Sequence, residues 1–425
     1  MLTKFFKSKM NEEQLWGNAL KLMPRGTQTL SKCPDQFVDG IYPKFAKKSK
    51  GAYVKGVNDK WYLDYMCGLG PIILGYNHKR TNKVIKKELE NGIIHSLPTI
   101  LEQQLAELIC EVVPCAEQVR FAKNGTDADL AAVRIARSYT GKEHIIKCGY
   151  HGWGDWNGIT LRPHGIPKSL KKTISEFEYN NLKSLEKELK KNKVAGVIME
   201  AQALTAPEPG FLEGVRELCT KYGALLIFDE VVTGFRWSLG GASEYYGVTP
   251  DLCCLGKALA NGMPLSAIAG KKEYMQELNH AFFSMTFGGE CLSLAAAIET
   301  IKELKTKNYN HIWRLGNILD SGIKDLAKKY NLKINFAGSA PRHNLTFDSS
   351  YKDPKGLKAL FYQEMVKQGI LFPNVIYIQF SHTEKDIKKT IKAADKSFKF
   401  VADNIDNIDE VLEGKKSIDI FRKNT

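Results

Sequence analysis

No stretch of this sequence is apolar over the roughly 20 residues a bilayer span needs, so no membrane-spanning helix is expected. The N-terminal MLTKFFKSKMNEEQLW also lacks the apolar core of a signal peptide. Cysteine is present but unorganised. The nine residues, from Cys33 to Cys291, are odd in number and show no C-x-x-C spacing, which excludes a disulfide framework and a zinc site and points to a reducing cytoplasm. Arginine is scarce, with 11 residues against 50 lysines behind a net charge of +14. The lysines interleave with acids in stretches such as NKVIKKELE and LKSLEKELKKNK, a pattern of solvated helix faces. Neither a nucleic acid nor a membrane is therefore expected as a partner, although the charge can steer anionic substrates. Internal repeats and low-complexity linkers are missing too.

What is present is ample core material. A chain of 425 residues with 43% hydrophobic content supports two or three structural units. NEEQLWGNALKLM reads as a helix, and GAYVKGVNDKWYLDY alternates like a hairpin turning at Val-Asn-Asp. Helical periodicity follows near 79–92 and 100–112. From about 118, strands and helices alternate. QVRFAK, HIIKCG, VAGVIME, ALLIFDE, DLCCLG and SAIAG read as strands, with helices at TDADLAAVRIARSYTG (closed by Gly141) and GVRELCTKYG. The predicted fold is α/β: a large domain with a mostly parallel sheet covered by helices, plus a smaller α+β domain built from the N- and C-terminal segments around KINFAG and HNLTFD. The expected ranges are 1–65 for the N-terminal segment, 66–325 for the large domain and 326–425 for the C-terminal domain. The polar stretch 154–180 is expected to be a mobile lid.

Chemistry gathers at the expected strand ends, where open α/β sheets bind ligands. ALLIFDEVVTGF ends an apolar run in Asp229 and Glu230. FAKNGTDAD sets Asn124, Gly125 and Thr126 between a strand and a helix, either an anion cradle or a capped helix start without a ligand. Neither it nor CGLGPIILG has dinucleotide or Walker spacing. Tyr150 in KCGYHGWGDW is either a wall for a planar ligand or rim packing. Lys257 follows an apolar strand amid small residues, where desolvation favours a nucleophilic amine. Thr286, before two glycines, offers a second phosphate contact. A phosphate cradle, an aromatic wall, a strand-end acid and a strand-end lysine together describe a pocket for pyridoxal 5′-phosphate (PLP), which needs an amine for its aldehyde and an anion for its ring nitrogen.

The stretches YLDYMCGLGPIILGYNH, NGTDADLAAVRIARSYTG, PGFLEGVRELCTKYGALLIFDEVVTGFR, GVTPDLCCLGKALANGMPLSAIAG and FSHTEKDIKKTIKAA resemble the class III aminotransferases, a group of fold-type I PLP enzymes, and within them the glutamate-1-semialdehyde 2,1-aminomutase group. The resemblance implies that Lys257 is the Schiff-base lysine and Asp229 the pyridinium partner. It implies that Gly125 and Thr126 bind the phosphate, with Asn124 where many relatives have serine, and that Tyr150 stacks on the ring. Glu200 matches an acid near the cofactor. Thr286 resembles a threonine that reaches the phosphate of a neighbouring subunit, which implies a homodimer with shared active sites. Glu230, on the other face of the strand, is assigned to structure.

The expected partners are a small-molecule amino donor, glutamate, and a carbonyl acceptor. Two departures separate the chain from the aminomutase itself. Asn374 falls where the mutase has a substrate-side glutamate, and MPRGTQTLSKCPDQF differs from the mutase's N-terminal segment, resembling relatives of sugar, cell-surface or secondary metabolism. The reading is thus an intermolecular transaminase ahead of a mutase making 5-aminolevulinate. Arg25, Arg236 and Arg342 are candidates for a substrate carboxylate or phosphate, with a structural role the favoured alternative for each.

Overall fold

The structure is a computed structural model that describes residues 10–417. The first nine residues and the last eight, which belong to the outer ends of the expected N- and C-terminal domains, lie outside the described residues. Contacts divide the chain into a central unit, Gly70–His311, and a flanking unit formed by the segments on either side of it.

In the flanking unit, β1 (Ala46–Lys50), β2 (Tyr53–Gly56) and β3 (Trp61–Asp64) form an antiparallel meander. The β2–β3 turn lies at the expected Val57-Asn58-Asp59. Asp59 takes φ +64 there, and Asn58 Oδ1 accepts the Lys60 N–H at 3.1 Å.

The central unit is built on seven strands: β4 (Gln118–Ala122), β5 (His144–Cys148), β6 (Ile174–Glu176), β7 (Val194–Met199), β8 (Leu225–Glu230), β9 (Leu252–Leu255) and β10 (Ser266–Gly270). Their order is β4-β10-β9-β8-β7-β5-β6. From β9 to β6 all neighbours run parallel, and β10 is antiparallel to both β9 and β4. The chain explains that exception. A parallel neighbour needs a crossover of about a dozen residues or more, and 256–265 is too short to supply one. Every residue of β7 and β8 is buried, as strands covered on both faces require. The helix Gly125–Thr140 covers one face through Ala128, Ala131, Ala132, Ile135 and Ala136. Its small residues let it lie close: a Cβ on Gly196 of β7 would sit 3.1 Å from the Ala136 Cβ.

The stretch 154–180 is not a separate lid. It holds the helix Asp155–Leu161 and β6, which extends the sheet beside β5. Trp156, Ile159 and Ile174 belong to the central core cluster. Lys147, fully buried on β5, ties this stretch down through Asn157 Oδ1 and Glu176 Oε1, each at 2.9 Å. Polar residues between those three apolar anchors disguise them in the sequence.

Beyond the central unit, β11 (Ile334–Ser339), β12 (Arg342–Phe347), β13 (Ile370–Leu371) and β14 (Val375–Tyr377) complete the flanking unit. β13 joins β3 in parallel, so the N- and C-terminal segments share one sheet, and β11-β12-β14 form another. The helices Asn310–Lys329, Pro354–Lys367 and Glu384–Asp403 supply its α component. The chain is α/β with an α+β companion, as its sequence pattern predicts. Among the described residues no helix is long and apolar enough to cross a membrane.

Candidate active site

The carboxyl end of β8 carries the two adjacent acids, and strand alternation sends them apart. Asp229 is buried, with Oδ1 accepting the Val231 N–H at 3.0 Å and Oδ2 lying 2.7 Å from His151 Nδ1. The other ring nitrogen, Nε2, is 3.0 Å from the Cys148 carbonyl. A carbonyl can only accept, so Nε2 carries a hydrogen and a proton lies between Nδ1 and Oδ2. Glu230 faces the other way. Its oxygens accept the Thr233 hydroxyl (2.6 Å) and the N–H groups of Ala242 (2.6 Å) and Ser243 (2.7 Å), which open the helix Gly241–Tyr246. Burial pushes its carboxyl above the ordinary glutamate range, and these hydrogen bonds pull it back.

The cradle is the first turn of the helix Gly125–Thr140, whose leading N–H groups have no intrahelical acceptor. Asp127 Oδ2 takes the Asn124 N–H at 2.7 Å, and Ser266 on β10 donates to the Asn124 carbonyl at 2.7 Å, which fixes the loop. Gly125 permits close packing, because a Cβ there would meet Val231 Cγ1 at 2.8 Å. Thr126 is buried, and its hydroxyl oxygen accepts the Gly154 N–H at 3.3 Å. Gly152, at φ +84, lies so near that a Cβ would stand 2.3 Å from Thr126 Oγ1. Tyr150 is half exposed while the next residue, His151, is fully buried, so the loop after β5 turns one ring outward and one inward.

Lys257 stands two residues past β9, after Gly256, and takes φ +41, a left-handed backbone disfavoured for a residue with a Cβ. Asn261, four residues on, also has positive φ, and its Oδ1 accepts the N–H groups of Ile73 and Leu74 at 3.0 and 2.9 Å. Glu200 is half buried immediately past β7. The charges of Asp229, Lys257 and Glu200 all act on one buried group, Asp129, and the charges of Asp129 and Asp229 act on the Tyr150 phenol. Lys257, Asp229, Glu200 and Tyr150 lie at or just past the carboxyl ends of the parallel neighbours β9, β8, β7 and β5, which brings them to one edge of the sheet. Thr286 lies on an exposed turn, whose Gly288 packs on Phe121 of β4.

The donor set suits a phosphorylated pyridine aldehyde: a helix N-terminus with a hydroxyl, a buried anion oriented by histidine, a half-exposed aromatic ring and an amine at a strand end. Two of the arginine candidates are otherwise engaged. Arg25 pairs with Asp35, and Arg236 is fully buried, donating to the carbonyls of Gly70 (2.6 Å) and Ile72 (3.1 Å). Arg342 is buried on β12 in the flanking unit.

His151, Asp129 and Cys254 stand in stretches that the sequence reading singled out, yet it gave none of them a role. The legible signal at Asp129 is an acid on a helix face otherwise made of buried alanines. No local pattern marks Cys254, whose importance comes from its strand register opposite Asp229.

The family model for class III aminotransferases matches residues 38–372. The 3-aminobutyryl-CoA aminotransferase of Cloacimonas acidaminovorans is 36% identical over 89% of this chain and 94% of that protein. A glutamate-1-semialdehyde 2,1-aminomutase of Natranaerobius thermophilus is also 36% identical, over 91% of this chain and 97% of its own length. Among solved structures, the FumI protein of Sphingopyxis sp. MTA144, in its PLP internal aldimine form, superposes with a TM-score of 0.86 at 25% identity, covering 96% of this chain and 98% of its own.

Proposed function

This chain belongs to the class III aminotransferases, which are PLP-dependent enzymes, and on that premise we propose that it moves an amino group from glutamate to a small carbonyl acceptor in a two-substrate transamination. The observation that carries this reading is at Asn374. Where the aminomutase group has a glutamate, this chain has an uncharged side chain whose Oδ1 is taken by the buried Tyr362 hydroxyl at 2.8 Å. The relative named as an aminotransferase of 3-aminobutyryl-CoA supports a substrate other than a tetrapyrrole precursor. The second reading, the aminomutase reaction that makes 5-aminolevulinate, is favoured by the Natranaerobius relative's name.

PLP, when bound, supplies the electron sink for charge left at a substrate Cα. The protein supplies the rest. Asp229 would present a negative charge to the ring nitrogen, with its orientation fixed by the 2.7 Å contact to His151. The N–H groups of Gly125 and Thr126 and the Thr126 hydroxyl hold the phosphate. Tyr150 would cover the ring, and Glu200, just past β7, would stand beside it. Lys257 would hold the cofactor's aldehyde through Nζ, and as a free amine it would carry a proton from and to the substrate Cα as general base and acid.

A homodimer follows from the same reading. Leu97, Ile100, Phe282 and Phe287 are 77, 73, 81 and 58% exposed, and two of them flank Thr286, a surface that suits a second copy. The nine cysteines, all free thiols, fit a reducing cytoplasm.

The test is a single-turnover assay on PLP-loaded protein with borohydride trapping. Transamination predicts that glutamate converts the cofactor to pyridoxamine phosphate, that glutamate 1-semialdehyde is inert, and that trapping labels Lys257. Conversion of the semialdehyde to 5-aminolevulinate without an added acceptor would establish the mutase instead.

A further inference from the structure

We propose that Asp129 and Asp229 act as a two-carboxyl unit carrying one negative charge, in which Asp129 is the neutral acid and Asp229 the anion offered to the ring nitrogen. The inference rests on the cofactor reading above. It gives Asp129 no part in holding the cofactor, its effect being on the ionisation of Asp229.

Asp129 lies on the sheet-facing side of the helix Gly125–Thr140, next to Ala128 and near Ala132, and is 2% exposed. Its Oδ1 makes no hydrogen bond among the described residues. Its helix neighbours Ala128 and Ala132 share one core cluster with Cys254, which stands directly across from Asp229 in the β8–β9 register. The two acids differ in what supports a charge. Asp229 has both oxygens filled, one by the Val231 N–H and one by His151. Asp129 has a buried oxygen with no hydrogen-bond partner and no donor stronger than the neighbouring Cys254 thiol. A buried carboxylate with an unfilled oxygen is strongly disfavoured, whereas the protonated acid is not. Where two nearby carboxyls cannot both ionise, the charge stays on the better supported one.

The groups facing Asp129 are Asp229 from β8, Cys254 from β9, Lys257 beyond β9, Glu200 beyond β7 and Tyr150 beyond β5. Burial is the strongest influence and favours the neutral acid, joined by the charges of Asp229 and Glu200. The Cys254 hydrogen bond and Lys257 act the other way. The acid is thus held well above the ordinary aspartate range.

Two measurements test this. In the first, infrared spectra of the apoprotein at neutral pH, wild type against Asp129→Asn, should show a protonated-carboxyl C=O band that the variant lacks. In the second, the visible band of the PLP-loaded protein is titrated with alkali. Wild type should titrate in a broadened, two-step curve, because Asp129 ionises beside Asp229. Asp129→Asn should keep the neutral-pH spectrum and bind PLP within about twofold of wild type, yet titrate in a single step. Cys254→Ala, which removes the thiol donor, should move the second step to higher pH and serves if the Asn variant misfolds.

Superimposable titrations would overturn the proposal. So would an unchanged infrared spectrum together with a tenfold loss of PLP affinity in Asp129→Asn, because Asp129 would then be the ionised partner. If wild type takes up no PLP, the cofactor reading fails, and with it the role of Asp129 toward the ring, while the infrared band still reports whether Asp129 is protonated.

Discussion

His151 Nδ1 stands 2.7 Å from Asp229 Oδ2, with both residues buried and the far side of the imidazole pinned to the Cys148 carbonyl. The loop after β5 and the end of β8 thereby act as one device: the strand supplies the charge and the loop sets its direction. A hydrogen bond to a charged group is worth about 1.5–3 kcal/mol, or roughly 10- to 100-fold in an equilibrium constant. His151→Phe is expected to weaken PLP binding and slow the glutamate half-reaction within that range. His151→Asn, which retains a donor, should recover part of the loss. Equal behaviour of the Phe variant and wild type in PLP titration would remove His151 from the site.

Gly152 and Thr126 make a steric pair of the same kind. A methyl group on Gly152 would overlap Thr126 Oγ1 at 2.3 Å and its Cβ at 2.4 Å, on a backbone at φ +84 that L-residues disfavour. Gly152→Ala is therefore expected to lose about 1–3 kcal/mol of stability in urea unfolding and to bind PLP poorly. Adding Thr126→Ala should restore part of the stability, since it removes the hydroxyl the methyl strikes, but not the phosphate affinity. A Gly152→Ala variant as stable as wild type would show that the loop moves freely.

Most of the sheet, and the strand-end placement of the candidate residues Asp229 and Lys257, are legible in the sequence, for a physical reason. Strands buried on both faces read as apolar runs, and the ligand-facing groups of such sheets stand at their ends, as Asp229 and Lys257 do. Three features depend on information that local pattern does not carry. The reversed direction of β10 follows from the length of the 256–265 connector rather than from the strand's composition. The anchoring of 154–180 depends on Trp156 and Ile159, an i,i+3 pair on a helix of 7 residues, and on Ile174 in a strand of 3, elements too short to show a period in the sequence. Asp129 looks like an ordinary helix acid until the fold packs its helix against Cys254 opposite Asp229.

Glu230 gives the contrasting case to Asp229, because its oxygens accept two backbone N–H groups and a hydroxyl rather than facing a ligand. Glu230→Gln would point an amide donor at those donors. A buried, mismatched polar group costs about 1–3 kcal/mol. The expected result is a lower thermal midpoint with the PLP absorbance band unchanged. Asp229→Asn should do the reverse, altering the band more than the stability. If Glu230→Gln changed the band at constant stability, the division of labour between the two acids would be wrong.

Acid stability should report on His343. This residue is 2% exposed on β12, its ring stacked on Phe336 with centroids 4.7 Å apart. Burial lowers its pKa from 6.5 to about 4, with Asp320 opposing the shift. The folded state therefore resists a proton that the unfolded chain takes up below pH 6.5. The stabilisation from the neutral ring is complete above that pH and is lost as pH falls from about 6.5 toward 4, by up to about 3 kcal/mol. His343→Leu, which cannot titrate, should be less sensitive to acid over that window, whatever it loses in packing at neutral pH. Urea unfolding of both proteins at pH 7.5, 6, 5 and 4.5 measures the difference. Converging stabilities as pH falls would place the acid sensitivity at His343, and curves that stay parallel would assign it to other groups.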